Sequence, residues 1–242
     1  MRVISWNINS IRKRMHIVQL LLEEYKPDVL CLQEIKCQND QFPAEFFYNL
    51  GYHSSVHGQK AYNGVAILTK TPVIISQRNF AEIEDARFIS VKYHDWNIVS
   101  VYVPNGQMVG TPAYAKQQAF MSALIEYRHT FHNQKLIIAG DFNIAPEDKH
   151  ADFALRSSFI CDDKLRSLWY NLLSTGFKDI LSDDYTWYDY RWPKMGARID
   201  NILSSHLEAS NKSILAPYTT VLNKYRYHVT SPSDHCPILL EM

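Results

Sequence analysis

The chain is short of features that would place it in several broad classes. It has four cysteines in 242 residues, Cys31, Cys37, Cys161 and Cys236, and no two stand in C-x-x-C spacing. That excludes the common structural zinc layouts and leads us to expect a reduced, cytoplasmic protein. Cys31 and Cys37 invite a disulfide or metal reading, but Cys31 lies inside the apolar run Val29 to Leu32. No apolar run approaches the ~18 residues that span a bilayer, so no membrane association is expected. The first residues, Met1 to Trp6, lead to Arg12, Lys13 and Arg14 without a signal peptide's apolar core or cleavage site. Net charge is also absent, since Lys plus Arg and Asp plus Glu both total 25. This excludes a strongly basic chromatin-type binder, but a local basic stripe is enough for a nucleic-acid enzyme. Linkers, low-complexity tracts and short repeats are missing too, and one domain over 1–242 is expected.

What is present alternates. Val3 to Ile8 reads as a strand. Ile11, Met15, Val18, Leu21, Leu22 and Tyr25 keep helical spacing until Pro27. Val29 to Gln33 reads as a buried strand, Phe42 to Leu50 as a short helix closed by Gly51, and Gly64 to Thr69 and Val73 to Ser76 as strands. Phe88 to Tyr93 and Trp96 to Val103 read as a hairpin turning at His94-Asp95. Thr111-Pro112 is a good N-cap and N1 pair for a helix to about His129. A helix from about Lys164 to Ser174, capped by Gly176, and strands at Thr186 to Tyr188, Ile199 to Ser204 and Ile238 to Glu241 complete the pattern. Many connections are too short for helical crossovers. Two packed mixed sheets with outer helices, an α/β fold, fit best.

Polar residues recur at the ends of the apolar strands. Leu136 to Ala139 empties into a turn at Gly140 and then Asp141 and Asn143, which share a face if the chain stays extended. Asn7 follows Val3 to Trp6, and Glu34 follows Val29 to Gln33. Tyr102 to Gly106, including Asn105, follows Ile98 to Val101, and Ser233-Asp234-His235 precedes Pro237 to Leu240. Strand ends in a layered fold gather at one rim. Carboxylates, amides and a histidine gathered there suit a hard divalent cation and a bound water.

Eight short motifs stand in a familiar order: Trp6-Asn7-Ile8-Asn9-Ser10-Ile11-Arg12, Leu32-Gln33-Glu34-Ile35-Lys36, Tyr62-Asn63-Gly64-Val65-Ala66, Tyr102-Val103-Pro104-Asn105-Gly106, Gly140-Asp141-Phe142-Asn143-Ile144, Thr186 to Arg191, Arg198-Ile199-Asp200 and Ser233-Asp234-His235. In this the chain resembles the exonuclease III family of abasic-site endonucleases. The resemblance implies a four-layer α/β sandwich like that of DNase I, dependence on Mg²⁺ or Mn²⁺, and a monomer cutting double-stranded DNA at abasic sites or blocked 3′ ends. It makes Glu34 the principal metal ligand, with Asn7 beside it and Asp234 nearby. Asp141 would orient or deprotonate the attacking water, and Asn143 would donate to the phosphoryl oxygens. His235 would contact the scissile phosphate while Asp200 fixes its tautomer. Two alternatives stand here: His235 as the base, and a second metal on Asp141, Asn143 and His235. Tyr102 would donate to the phosphate or act as a phenolate. Arg12, Lys36, Asn105 and Arg191 would meet DNA phosphates. Trp187 is either a wall of the abasic pocket or a core residue.

Two stretches are short for that family, 147–164 and 192–197. At the place where relatives wedge a bulky side chain into DNA stands Ala197, with Met195 or Trp192 as substitutes. The segment Asn223 to His228 interleaves bases and aromatics, as a solvated strand or a DNA-binding edge would. Weakened abasic incision with retained 3′-end processing is therefore one alternative. A small-molecule phosphatase of the same superfamily and a non-catalytic binding module are the others.

Overall fold

Two parallel strand pairs, each joined by a helix, set the architecture. The computed structural model describes residues 1–81, 83–131, 134–179, 183–189, 191, 195–206, 213–214 and 233–242. Strand β1 (Arg2–Asn7) runs into helix α1 (Ile11–Tyr25) and returns parallel as β2 (Val29–Gln33). Lys26, the residue before Pro27, adopts a left-handed conformation and its N–H donates to the Leu22 carbonyl, ending α1 at Tyr25. The second pair is β7 (Trp96–Tyr102), α3 (Pro112–His129) and β8 (Lys135–Asp141), again parallel. Thr111 Oγ1 accepts from the Tyr114 N–H and Pro112 occupies N1, so the N-terminus of α3 is capped as its sequence requires.

Antiparallel strands extend each pair. Helix α2 (Ala44–Asn49), β3 (His53–His57) and β4 (Val65–Thr69) follow β2, and β5 (Ile74–Arg78) and β6 (Phe88–Tyr93) precede β7. After β8 come α4 (Asp163–Ser174), β9 (Lys178–Asp179), β10 (Trp187–Tyr188), β11 (Gly196–Ala197), β12 (Asp200–Ser204), β13 (Ser213–Ile214) and β14 (Ile238–Glu241). One sheet has the order β13-β14-β1-β2-β4-β3 and the other β5-β6-β7-β8-β12-β9, while β10 and β11 form a small ribbon.

Three cores define four layers. Ile4, Trp6, Leu30 and Leu32 face α1 and α2. Val3, Val29, Cys31, Ile98, Ile137 and Ala139 pack sheet against sheet. Val101, Leu136 and Ile138 face Phe120, Leu124, Trp169 and Leu172 of α3 and α4. The period-two alternation along each strand divides its side chains between a helix layer and the inter-sheet layer. All four cysteines are buried free thiols, Cys31 among them.

The structure departs from the sequence reading at several points. Strand β3 was not foreseen. Gly140 is not a turn, because β8 continues through it to Asp141. A Cβ at Gly140 would stand 1.9 Å from the Val101 carbonyl oxygen, so glycine is required there by close approach of the neighbouring strand. The chain does not stay extended to Asn143, whose φ is 52°. The stretch 147–164 is compact, with three single 3-10 turns, and it closes a small core of Ala145, Ala151, Ile160, Cys161, Ala197 and Ile199. Trp192 and the segment 223–228 lie outside the described residues.

Candidate active site

The C-terminal ends of both parallel pairs open onto one rim. β1 and β2 deliver Asn7 and Glu34, and β7 and β8 deliver Tyr102 and Asp141, with Tyr102 in register with Asp141. The antiparallel neighbours arrive at the same rim by their N-terminal ends. Asp200 begins β12 opposite Asp141, and Asp234-His235 leads into β14 beside β1.

Asn7 joins the two sheets. Its buried Nδ2 donates to Glu34 Oε1 at 2.9 Å and to Asp141 Oδ2 at 3.0 Å. Ligand atoms of Glu34, Asp141 and His235 all lie within 4.8 Å of one another. The two carboxylates at this spacing, flanked by the Asn7 amide, fit a hard divalent cation that keeps some of its waters. Asp234 stands apart from that trio. Its Oδ1 accepts from Asn9 Nδ2 at 2.9 Å and its Oδ2 from Trp187 Nε1 at 3.1 Å. Trp187 is thus half-buried at the rim, paired through β10 with Ala197.

The electrostatics divide the titratable groups. His235 Nδ1 is 2.8 Å from Asp200 Oδ2, and its Nε2 faces Asp141 Oδ2 at 3.8 Å. Burial opposes the imidazolium, but the Asp200, Asp141 and Asp234 carboxylates outweigh it and raise the His235 pKa. Burial, with the charge of Asp200, pushes the Asp141 carboxyl well above the usual carboxylate range despite His235 and Asn7. Glu34 goes the other way. Its burial is overcome by hydrogen bonds from Asn7 and Lys36, so its pKa is lowered and it stays ionised. Burial and the charges of Glu34 and Asp141 raise Tyr102 well above an ordinary phenol. The phenolate alternative for Tyr102 is therefore disfavoured, and its hydroxyl is a donor. The Arg87 guanidinium lies over the Tyr102 ring, 4.5 Å from its centroid.

Asn143 turns back on the site. Its N–H donates to Asp141 Oδ1 at 2.9 Å and its Nδ2 to the Val103 carbonyl at 3.0 Å, while Asn105 Nδ2 donates to Asn143 Oδ1 at 3.2 Å. Lys36 does not stand free for a phosphate. Its Nζ is 2.7 Å from Glu34 Oε2 and 2.6 Å from Asn9 Oδ1. Arg12 is exposed, with Nη2 donating to the Lys36 carbonyl at 3.3 Å. Arg191 is exposed and forks onto the buried Asp189 through Nε and Nη2 at 3.2 and 2.9 Å. Ala197 is fully buried, paired with Trp187 and bridged to Ala151, so it presents nothing to a base stack. Met195 is half-buried, and its carbonyl accepts from the Asp189 N–H.

Sequence reasoning passed over several supports. Asn9 links Lys36 to Asp234. Below the rim, Gln33 Nε2 crosses between the sheets to Ser100 Oγ at 3.0 Å. Ser233 Oγ donates to the Asn7 carbonyl at 2.7 Å, and Trp6 Nε1 donates to the His235 carbonyl at 3.0 Å, tying the Asp234-His235 loop to β1. Thr186 Oγ1 accepts from the N–H groups of Ile199 and Asp200. Trp6, Asn9, Gln33, Thr186 and Ser233 all lie inside the ordered motifs, which is the one signal the sequence offers for them, and Ser100 lies outside.

Known proteins share this architecture. The endonuclease/exonuclease/phosphatase family matches residues 4–235. Exodeoxyribonuclease III of Haemophilus influenzae is 32% identical across 100% of this chain and 99% of its own length. The exodeoxyribonuclease of Bacillus subtilis is 27% identical over 99% of this chain and 98% of its own. Among solved structures, an AP endonuclease from Archaeoglobus fulgidus superposes with a TM-score of 0.89 at 30% identity, covering 100% of this chain and 99% of that one. The 3′-5′ exonuclease NExo from Neisseria meningitidis does so with 0.89 at 32% identity and the same coverage. NExo has also been solved as a 3′ phosphatase bound to a product DNA hairpin. No described helix is long and apolar enough to cross a membrane. The chain belongs to the endonuclease/exonuclease/phosphatase family, and within it to the exonuclease III group.

Proposed function

We propose that this chain is a divalent-metal-dependent DNA-repair phosphodiesterase, acting as a single domain on double-stranded DNA at abasic sites and blocked 3′ ends. The observation that carries the reading is the Glu34, Asp141 and His235 cluster, joined across the two sheets by Asn7. Mg²⁺, or Mn²⁺, is the ion we assign to it, held by Glu34 and Asp141 with Asn7 and His235 adjoining and Asp234 outside the trio. When bound, such an ion neutralises charge that develops on the phosphoryl group.

The chain's own groups divide the remaining work. Asp141, at the end of β8 between Asn7 and His235, accepts the proton of the attacking water. His235, kept cationic by Asp200, contacts the scissile phosphate and does not act as the base. Asn143 and the Tyr102 hydroxyl donate to the phosphoryl oxygens, and one such donor is worth ~3–4 kcal/mol at the transition state. Arg12, Asn105 and Arg191 are the groups we assign to DNA phosphates, and Lys36 joins them when it leaves Glu34. Trp187 offers the aromatic wall. We infer a monomer in the reducing cytoplasm, in keeping with the buried thiols.

One observation favours a finer balance. With Ala197 buried at the wedge position, 3′-end processing is favoured over incision at internal abasic sites. The test uses two duplexes, one with an internal abasic analogue and one with a recessed 3′-phosphate, each with Mg²⁺ or EDTA. We expect metal-dependent turnover of both and faster turnover of the 3′-phosphate. Failure on both sinks the repair function, and faster abasic incision reverses the balance.

A further inference from the structure

Helix α3 presents Tyr114, Phe120, Met121, Leu124 and Tyr127 to its sheet. Gln117 interrupts that stripe, wholly buried where helical spacing asks for an apolar side chain. Burying an amide is unfavourable unless it finds partners. Its Nε2 donates to the Asn143 backbone carbonyl at 2.9 Å. Its Oε1 is buried without a hydrogen-bond partner among the described residues. That oxygen sits 2.2 Å from where a Cβ on Gly106 would stand. Gly106 is not left-handed, so its bare Cα is needed for this approach and not for a turn. One amide therefore touches both loops that carry the facing pair Asn105 and Asn143.

We infer that Gln117 is a positioning residue. It fixes the loop after β7 against the loop after β8 and so holds the Asn143 amide in place beside Asp141. This role rests on the phosphodiesterase reading above. Gln117 touches neither substrate nor ion; it acts through the Asn143 carbonyl, whose residue also donates its N–H to Asp141 Oδ1.

Two substitutions and one cycle test it. Gln117→Met keeps the volume and removes the donor. It should lower kcat about 100-fold on the 3′-phosphate duplex with KM unchanged, the scale of a displaced catalytic group. Gln117→Glu donates to the Asn143 carbonyl only when protonated. Its kcat relative to wild type should rise as pH falls, a profile that a general packing defect does not produce. Independently of activity, Gly106→Ala should lose stability in the wild-type background and recover part of it beside Gln117→Ala, which vacates the contested position. Wild-type kcat in Gln117→Met, or a Gln117→Glu profile parallel to wild type, overturns the positioning role. Additive stability effects remove the Gly106 contact. An inactive wild-type chain overturns the proposed function and this role together; an active one with unaffected variants overturns this role alone.

Discussion

His235 and Asp200 face each other at 2.8 Å, both almost wholly buried; Asp200 opens β12 of one sheet, and His235 lies in the loop that leads into β14 of the other. The carboxylate holds the ring in one tautomer and offsets burial of its charge. Asp200→Asn removes that offset, so the His235 pKa should fall as burial takes over. We expect kcat to drop by a factor between ~10² and ~10⁴, the range of general acid–base and orienting groups. The ring titration followed by NMR, beside kcat, checks both parts. A His235 pKa unchanged in the variant would dismiss Asp200 as its counter-ion.

Asp141→Asn should cost ~10²–10⁴ in turnover, because an amide cannot take a proton from water. DNA binding should survive, since a buried anion beside Asp200 is removed rather than added. Filter binding and single-turnover rates separate the two effects. Near-normal turnover would strip Asp141 of its role.

Metal binding has a readout apart from catalysis. Mg²⁺ should raise the melting temperature of the wild type, because a ligand that binds only the native state stabilises it by ~2.7 kcal/mol at a hundred times its Kd. Glu34→Gln should blunt that rise, and EDTA should abolish it. An equal rise in Glu34→Gln would move the ion elsewhere.

His150 sets a pH limit on stability. It is buried, its Nδ1 accepts from the Glu147 N–H at 3.1 Å, and its Nε2 is 3.0 Å from Asp183 Oδ1. Burial, helped by Arg198, lowers its pKa below 6.5 despite Asp183. The unfolded chain therefore takes up a proton that the folded chain refuses. The contribution is complete above pH 6.5 and is lost as pH falls from there through the lowered folded value. His150→Asn keeps an acceptor near Nδ1 without titrating. Its melting temperature should fall less on acidification than that of the wild type, and an equal fall would exonerate His150.

Gly140→Ala tests the sheet directly. The new methyl meets the Val101 carbonyl, so β7 and β8 must part, at about 1–3 kcal/mol or more. Chemical denaturation measures it, and a neutral result would mean that the pair opens without strain.

Legibility followed sequence distance. The α1 boundaries, the Thr111-Pro112 start of α3 and the His94-Asp95 hairpin each depend on a few adjacent residues, and they were readable. Strand β3 was not. His53-Ser54-Ser55-Val56-His57 has one aliphatic side chain and lies at a sheet edge, so it exists through its register with β4 and not through periodicity. At the site, the strand-end carboxylates and amides were legible because apolar runs point at them. Their supports were not. Asn9 and Asp234 are 225 residues apart, and the contact of Gln117 with the Asn143 carbonyl spans 26. No local pattern encodes such partnerships. Asn143 was misread for the opposite reason: a left-handed residue right after a strand breaks the alternation that the extended reading assumed.

The order of strands has a consequence for the growing chain. The sheet that holds Asn7 and Glu34 is finished by β14, near the far end of the sequence, after the entire second sheet has been made. Asp234 and His235 immediately precede that strand. Protein emerging from a ribosome already carries both strand-end carboxylates, Glu34 and Asp141, long before the imidazole arrives. Until β14 pairs with β1, nothing seats Asp234 and His235 beside Glu34 and Asp141, so completing this sheet and completing the site are one event.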